Sequence, residues 1–212
     1  MKKRSLSFYL LAIFFGLFIL FLYGPMIAIF ILSLQGPEGN LTFPVRGFGV
    51  YWLGLVYQEQ RVGIFVEPFQ RSLVLGGLVT GMAGAAAMAF RQRFWGSTVL
   101  FYLSIASLIV PSILISLGLG VMFQVMQWPT RWYSSGLGAH LTWTLPIAFL
   151  IMLGIFNRFN PSYEEAAKDL GANDANTFWE IVLPLIAPSL VGISLLTFTL
   201  SYDEFTRTSL VS

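Results

Sequence analysis

The chain has 212 residues, of which 56% are hydrophobic and only 10% charged, with a formal net charge of +2. A soluble domain carries about 25% charged residues, so this composition describes an integral membrane protein and excludes a basic nucleic-acid binder. Cysteine is absent, His140 is the single histidine, and none of Lys2, Lys3 and Lys168 lies in a Walker A loop; disulfides, thiolate chemistry, multi-histidine metal sites and a Walker-type ATPase site are excluded with them. No catalytic or metal-ligating set is expected.

Lys2-Lys3-Arg4 precedes an uncharged run from Ser5 to Gln35. That is longer than a signal-peptide core and enough for a first membrane span over about 6–34, kinked at Gly24-Pro25, with its basic end in the cytoplasm. Residues 36–70 form a polar, mixed-charge segment with turns at Gly36-Pro37 and Gly39-Asn40 and an aromatic pair at Tyr51-Trp52. A second span over about 70–90 is rich in glycine and alanine, and Gly77-x-x-x-Gly81 offers a face for close helix approach. Arg91 and Arg93 mark a short cytoplasmic turn. The third span, about 97–123, is broken in its middle by Pro111 next to Ser112, where a freed carbonyl needs a partner. Trp128, Trp132 and Tyr133 suit a membrane interface. The fourth span, about 137–156, carries His140 near its outer end, solvated or hydrogen-bonded, and Pro146.

The stretch from Pro161 to Pro188 is the most polar part of the chain and covers most of the loop 157–184. It holds five of the ten acidic residues, Glu164, Glu165, Asp169, Asp174 and Glu180. Ser162 and Glu165 have capping-box spacing, which predicts a short helix from Tyr163. Gly171 suits the left-handed residue that ends it. Asn173 is placed to cap a second helix with Phe178, Ile181 and Val182 on one face, which Pro184 ends or kinks. A fifth span over about 185–203 carries Tyr202, Asp203 and Glu204 at its far end.

With the N-terminus inside, seven Lys and Arg fall on the cytoplasmic side and five outside, in the sense of the positive-inside rule. The chain reads as one all-helical transmembrane domain, residues 1–212, with five spans and the loop 157–184.

Glu165-Ala166-Ala167, Gly171, Ile181 and Leu183-Pro184 stand at the spacing of the EAA loop of ABC-importer permeases, and the chain resembles that family over nearly its whole length. The match is tight in the loop, fair from Leu108 to Asn157 and loose before Phe69. Within the family it is most similar to the second permease of spermidine/putrescine-type systems, partly through Ser201-Tyr202-Asp203-Glu204-Phe205. Ser112 departs from relatives that have an acidic residue after the corresponding proline.

The resemblance implies a type I importer permease (MetI-like) fold in a bacterial inner membrane. It implies four kinds of partner: the lipid bilayer, a second permease subunit forming a heterodimer, two ATPase subunits and a periplasmic solute-binding protein. ATP would be used by the partner, with no cofactor bound by this chain. Glu164, Glu165, Ala166, Ala167, Gly171, Ile181, Leu183 and Pro184 would couple to the ATPase. Pro111, Ser112, Tyr202, Asp203 and Glu204 would line the solute pathway. The family has a sixth span, so the native product is expected to be longer than this sequence. Other solutes within the family, such as an amino acid derivative, an opine or ferric ion, stay open. A secondary transporter would also use a helix broken at Pro111, but does not account for the EAA spacing.

Overall fold

The computed structural model describes residues 5–38 and 42–204, apart from the side chains of residues 59–63. Lys2-Lys3-Arg4, the Gly39-Asn40 turn, Phe205 and Arg207 lie outside them. Long apolar runs become helices because a backbone in lipid must satisfy its own N–H and C=O groups. Among the described residues, four helices are long and apolar enough to cross a membrane, and a fifth crossing results if one bent pair counts as a single span. The chain divides into two compact units at Val66/Glu67.

In the first unit, α1 (Leu6–Ser33) runs without interruption through Gly24-Pro25 and buries none of its residues. Past its end, Gln35 bridges to Phe48, and the Gly49 N–H donates to the Leu34 carbonyl at 2.7 Å. The polar segment that follows holds a short helix, α2 (Tyr51–Val56), which includes the Tyr51-Trp52 pair. The next helix, α3 (Glu59–Phe90), begins well before the expected span and continues through Pro68.

The second unit contains most of α3 and the rest of the chain. The third span is two helices, α4 (Ser97–Ile109) and α5 (Ser112–Val125), bent by 104° at Val110-Pro111. A π-helical turn, Trp132–Gly136, leads into α6 (Leu137–Arg158). Then follow α7 (Ser162–Asp169), α8 (Asp174–Thr177), a second π-helical turn (Phe178–Val182) and α9 (Leu183–Tyr202).

The core lies between α3, α6 and α9. Leu75, Val79, Ala83 and Ala87 recur every fourth residue along one face of α3, against Ala148, Phe149, Met152 and Phe156 of α6 and Ile186 and Ile193 of α9. Small side chains let the backbones approach, and among the glycines of α3 the tightest contact is at Gly76. An added Cβ there would stand 2.8 Å from the Ser194 carbonyl oxygen, whereas Gly77 and Gly81 have nothing within 4 Å. The close-contact face is thus one residue away from the Gly77-x-x-x-Gly81 pattern.

Pro184 does not end the second loop helix. Residues Asp174–Tyr202 form one helical rod of 29 residues, about 43 Å long at 1.5 Å per residue. Pro184 lacks an N–H and its ring crowds the carbonyl four residues earlier. The wider π-helical turn just before it makes room for that defect within the helix.

Candidate functional site

The loop after α6 is a helix, a glycine turn and a second helix. The capping box does not form: Pro161 is the N-cap of α7, with no side-chain cap. The first turn is instead held by Asn160, whose Oδ1 accepts the Ser162 N–H at 3.1 Å. Proline at the N-cap moved the helix start one residue earlier than expected and left Glu165 exposed.

The end of α7 follows the sequence closely. Gly171 has φ +91°. Its N–H donates to the Lys168 carbonyl at 2.9 Å, and the Ala172 N–H to the Ala167 carbonyl at 3.0 Å. These are the two hydrogen bonds of a Schellman turn. Asn173 then caps α8, its Oδ1 accepting the Asn176 N–H at 2.8 Å. Lys168 and Asp174 bridge the turn at 2.8 Å. Their hydrogen bond and mutual attraction raise the lysine above its ordinary pKa and hold the carboxyl below its ordinary range.

Ala167 is buried beneath the loop, while Ala166, Gly171 and Pro184 are exposed and Ile181 and Leu183 half-buried. Leu170 and Trp179 present large apolar surfaces outward, 90% and 64% exposed.

Glu164 is engaged within the chain. Arg91, directly after α3, donates through both terminal nitrogens to its two carboxylate oxygens at 2.7 and 2.9 Å. The Arg91 guanidinium also lies 5.4 Å from the ring centres of both Phe156 and Phe159. Phe159 in turn meets Tyr163 of α7 edge-on. The sequence marks Arg91 only as a topological charge. Its partner is 73 residues away, and no local pattern announces such a pair.

At the opposite end of these helices, Ser201 lies 3.1 Å from Ser72 and 3.3 Å from His140 Nδ1, and all three are buried. His140 is thus hydrogen-bonded in the helix core and not solvated. The next residue, Tyr202, stacks on Phe198 with a 17° angle between rings and remains 41% exposed. Asp203 is the exposed C-cap of α9, and Glu204 is half-buried. Pro111 is the exposed N-cap of α5, next to half-buried Ser112.

Residues 77–211 match the family model described as a binding-protein-dependent transport system inner membrane component. The chain belongs to that family. It is a multi-pass membrane permease of the ABC-importer class. It is 28% identical to the putrescine transport system permease protein PotI of Escherichia coli strain K12, over 91% of this permease and 70% of that one. Identity to the spermidine/putrescine transport system permease protein PotC of Haemophilus influenzae is also 28%, over 91% and 74%. A solved bacterial ABC transporter involved in import of the acidic polysaccharide alginate shares the fold with a TM-score of 0.65, at 19% identity, over all of this permease and 78% of that chain.

Proposed function

We propose that this permease imports polyamines as one of two different membrane subunits of an ATP-driven complex in the bacterial inner membrane. Two ATPase subunits bind and hydrolyse the ATP, a periplasmic protein delivers the solute, and this chain binds no cofactor. The loop 157–184 docks on an ATPase. Glu165, Ala166 and the turn at Gly171 form the contact, and Ile181, Leu183 and Pro184 carry the movement into α9.

One observation carries the coupling role. The second helix of the loop is continuous with α9 from Asp174 to Tyr202, so displacement of the loop reaches the far side of the membrane through a single rod. The Arg91–Glu164 pair keeps the α3–α4 turn and the loop on one side, in keeping with a cytoplasmic N-terminus. The polyamine assignment draws on the similarity to PotI and PotC, permeases of putrescine and spermidine/putrescine transport systems, and on Asp203 beside Tyr202.

The test is uptake of radiolabelled putrescine and spermidine into proteoliposomes holding the complete complex. Saturable, ATP-dependent uptake of either is expected. If neither is transported, the solute assignment fails; if uptake proceeds without ATP, the ABC mechanism fails.

A further inference from the structure

The coupling loop has a second connection to the membrane core besides α9. Arg91 holds α7 through a bidentate ion pair with Glu164 while its guanidinium covers Phe156 and Phe159. Bidentate, charge-assisted pairs are directional, and an arginine stacked on rings has little freedom left. Only 24% of the Arg91 side chain and 22% of that of Glu164 is exposed, which limits competition from water and salt. Arg91 is fixed to α3, its N–H donating to the Met88 carbonyl at 3.1 Å.

From Arg91, α3 runs back past Gly76, where it touches the α9 backbone, to Ser72, 3.1 Å from Ser201. Those nineteen residue steps span about 28 Å. A helix packed this closely does not bend along its length under a small load, so what moves Arg91 moves Ser72. Ser201 adjoins Tyr202 and Asp203. Two struts therefore join the loop to the same outer end: α9 by covalent continuity, and α3 through one ion pair.

We propose that Arg91 is a positioning residue for transport, the latch that makes α3 move together with the coupling loop. The inference rests on the coupling role of the loop proposed above. Without the latch, the loop still displaces α9, but α3 lags and the outer ends of the helices fall out of step. ATP is then spent with less solute moved.

The experiment measures solute transported per ATP hydrolysed in proteoliposomes of the complete complex, for Arg91→Ala, Glu164→Gln, the double variant, Arg91→Lys and a Gly171→Val control. The expected loss in that ratio for Arg91→Ala and for Glu164→Gln is about fivefold or more, the lower end of measured coupling effects. The double variant should be no worse than the poorer single variant, because both remove one link. Arg91→Lys, which keeps the charge without the fork, should recover part of the ratio. If Arg91→Ala fails to assemble, Glu164→Gln, nearly isosteric, carries the test. A wild-type ratio in Glu164→Gln beside a lowered ratio in Gly171→Val overturns the latch and leaves the coupling loop standing. Wild-type ratios in both overturn the latch and the coupling role together. Additive losses in the double variant also overturn the latch.

Discussion

At Gly76 the α3 backbone comes so close to α9 that an added Cβ would stand 2.8 Å from the Ser194 carbonyl oxygen and 3.3 Å from the Phe198 backbone nitrogen. Both neighbours are held in place by the helix, so Gly76→Ala must push α3 and α9 apart. The expected cost is about 1–3 kcal/mol, the range for overpacking a fitted core. Gly77→Ala meets nothing within 4 Å, and there alanine should be neutral or stabilise by up to about 1 kcal/mol through helix propensity. Thermal unfolding of the purified subunit in detergent, followed by circular dichroism, checks both: a lower Tm for the first and an equal or higher one for the second. The Lys168–Asp174 pair makes the opposite case, since both side chains are exposed. Asp174 is held below its ordinary 3.8, so its contribution is complete above that value and is lost only as pH falls through the depressed one. Lys168 is held above its ordinary 10.5, so its contribution is complete below that value and is lost as pH rises through the raised one. Between about pH 5 and 9 the pair does not titrate. The pH profile of uptake by Asp174→Asn should therefore keep the wild-type shape over that window, which a transport titration measures directly.

The loop illustrates which features of an element a sequence discloses. The Gly171 turn and the Asn173 cap were legible because each depends on the backbone preference or side-chain reach of one residue. The break at Pro111 was legible for the same reason. The capping box failed because Pro161 took the N-cap, and at Pro184, expected to end or kink its helix, the helix continues through a π-helical turn. Gly76, Arg91–Glu164 and Ser72–Ser201–His140 were not legible, since each joins helices separated by 61 to 129 residues. Their residue types are common, and only the folded packing selects them. At Gly171 the prediction is sharp. With φ at +91°, a β-branched side chain is strained whatever the surrounding space, while asparagine tolerates positive φ better. Gly171→Val should lower the rate of uptake at least about tenfold, the effect of about 1.4 kcal/mol of lost coupling, with insertion into the membrane unchanged. Gly171→Asn should retain more activity than Gly171→Val. Uptake assays on membranes with matched subunit levels compare the three proteins.

For the permease as a whole, the two ends of the α3–α6–α9 core carry different chemistry. One end holds the exposed, charged loop with its ion pairs. The other holds buried hydroxyls and His140, and beyond them Tyr202 and Asp203. A length of about 30 Å for α9 matches the hydrocarbon core of a bilayer, so Asp203 lies toward the outer boundary when the loop is cytoplasmic. Two costs meet at this carboxylate. It caps the C-terminus of α9, where the helix dipole is negative and an anion is unfavourable by about 0.3–1 kcal/mol. At the end of a helix of membrane-spanning length, a carboxylate also needs water, a cation or a partner. Placing an acid there makes physical sense if a cation visits it. Tyr202 adds to this, because stacking on Phe198 fixes its ring while 41% of the residue stays exposed, as a cation–π contact to an alkylammonium requires. Removing the charge without changing the size, Asp203→Asn, should raise the KM for putrescine about tenfold, the equivalent of about 1.4 kcal/mol, with complex assembly unchanged. Glu204→Gln, on a half-buried side chain, should have the smaller effect. Initial rates of radiolabelled putrescine uptake over a range of concentrations measure both. Wild-type KM values in both variants would remove the acids from the pathway, and the physical case for a cationic solute with them.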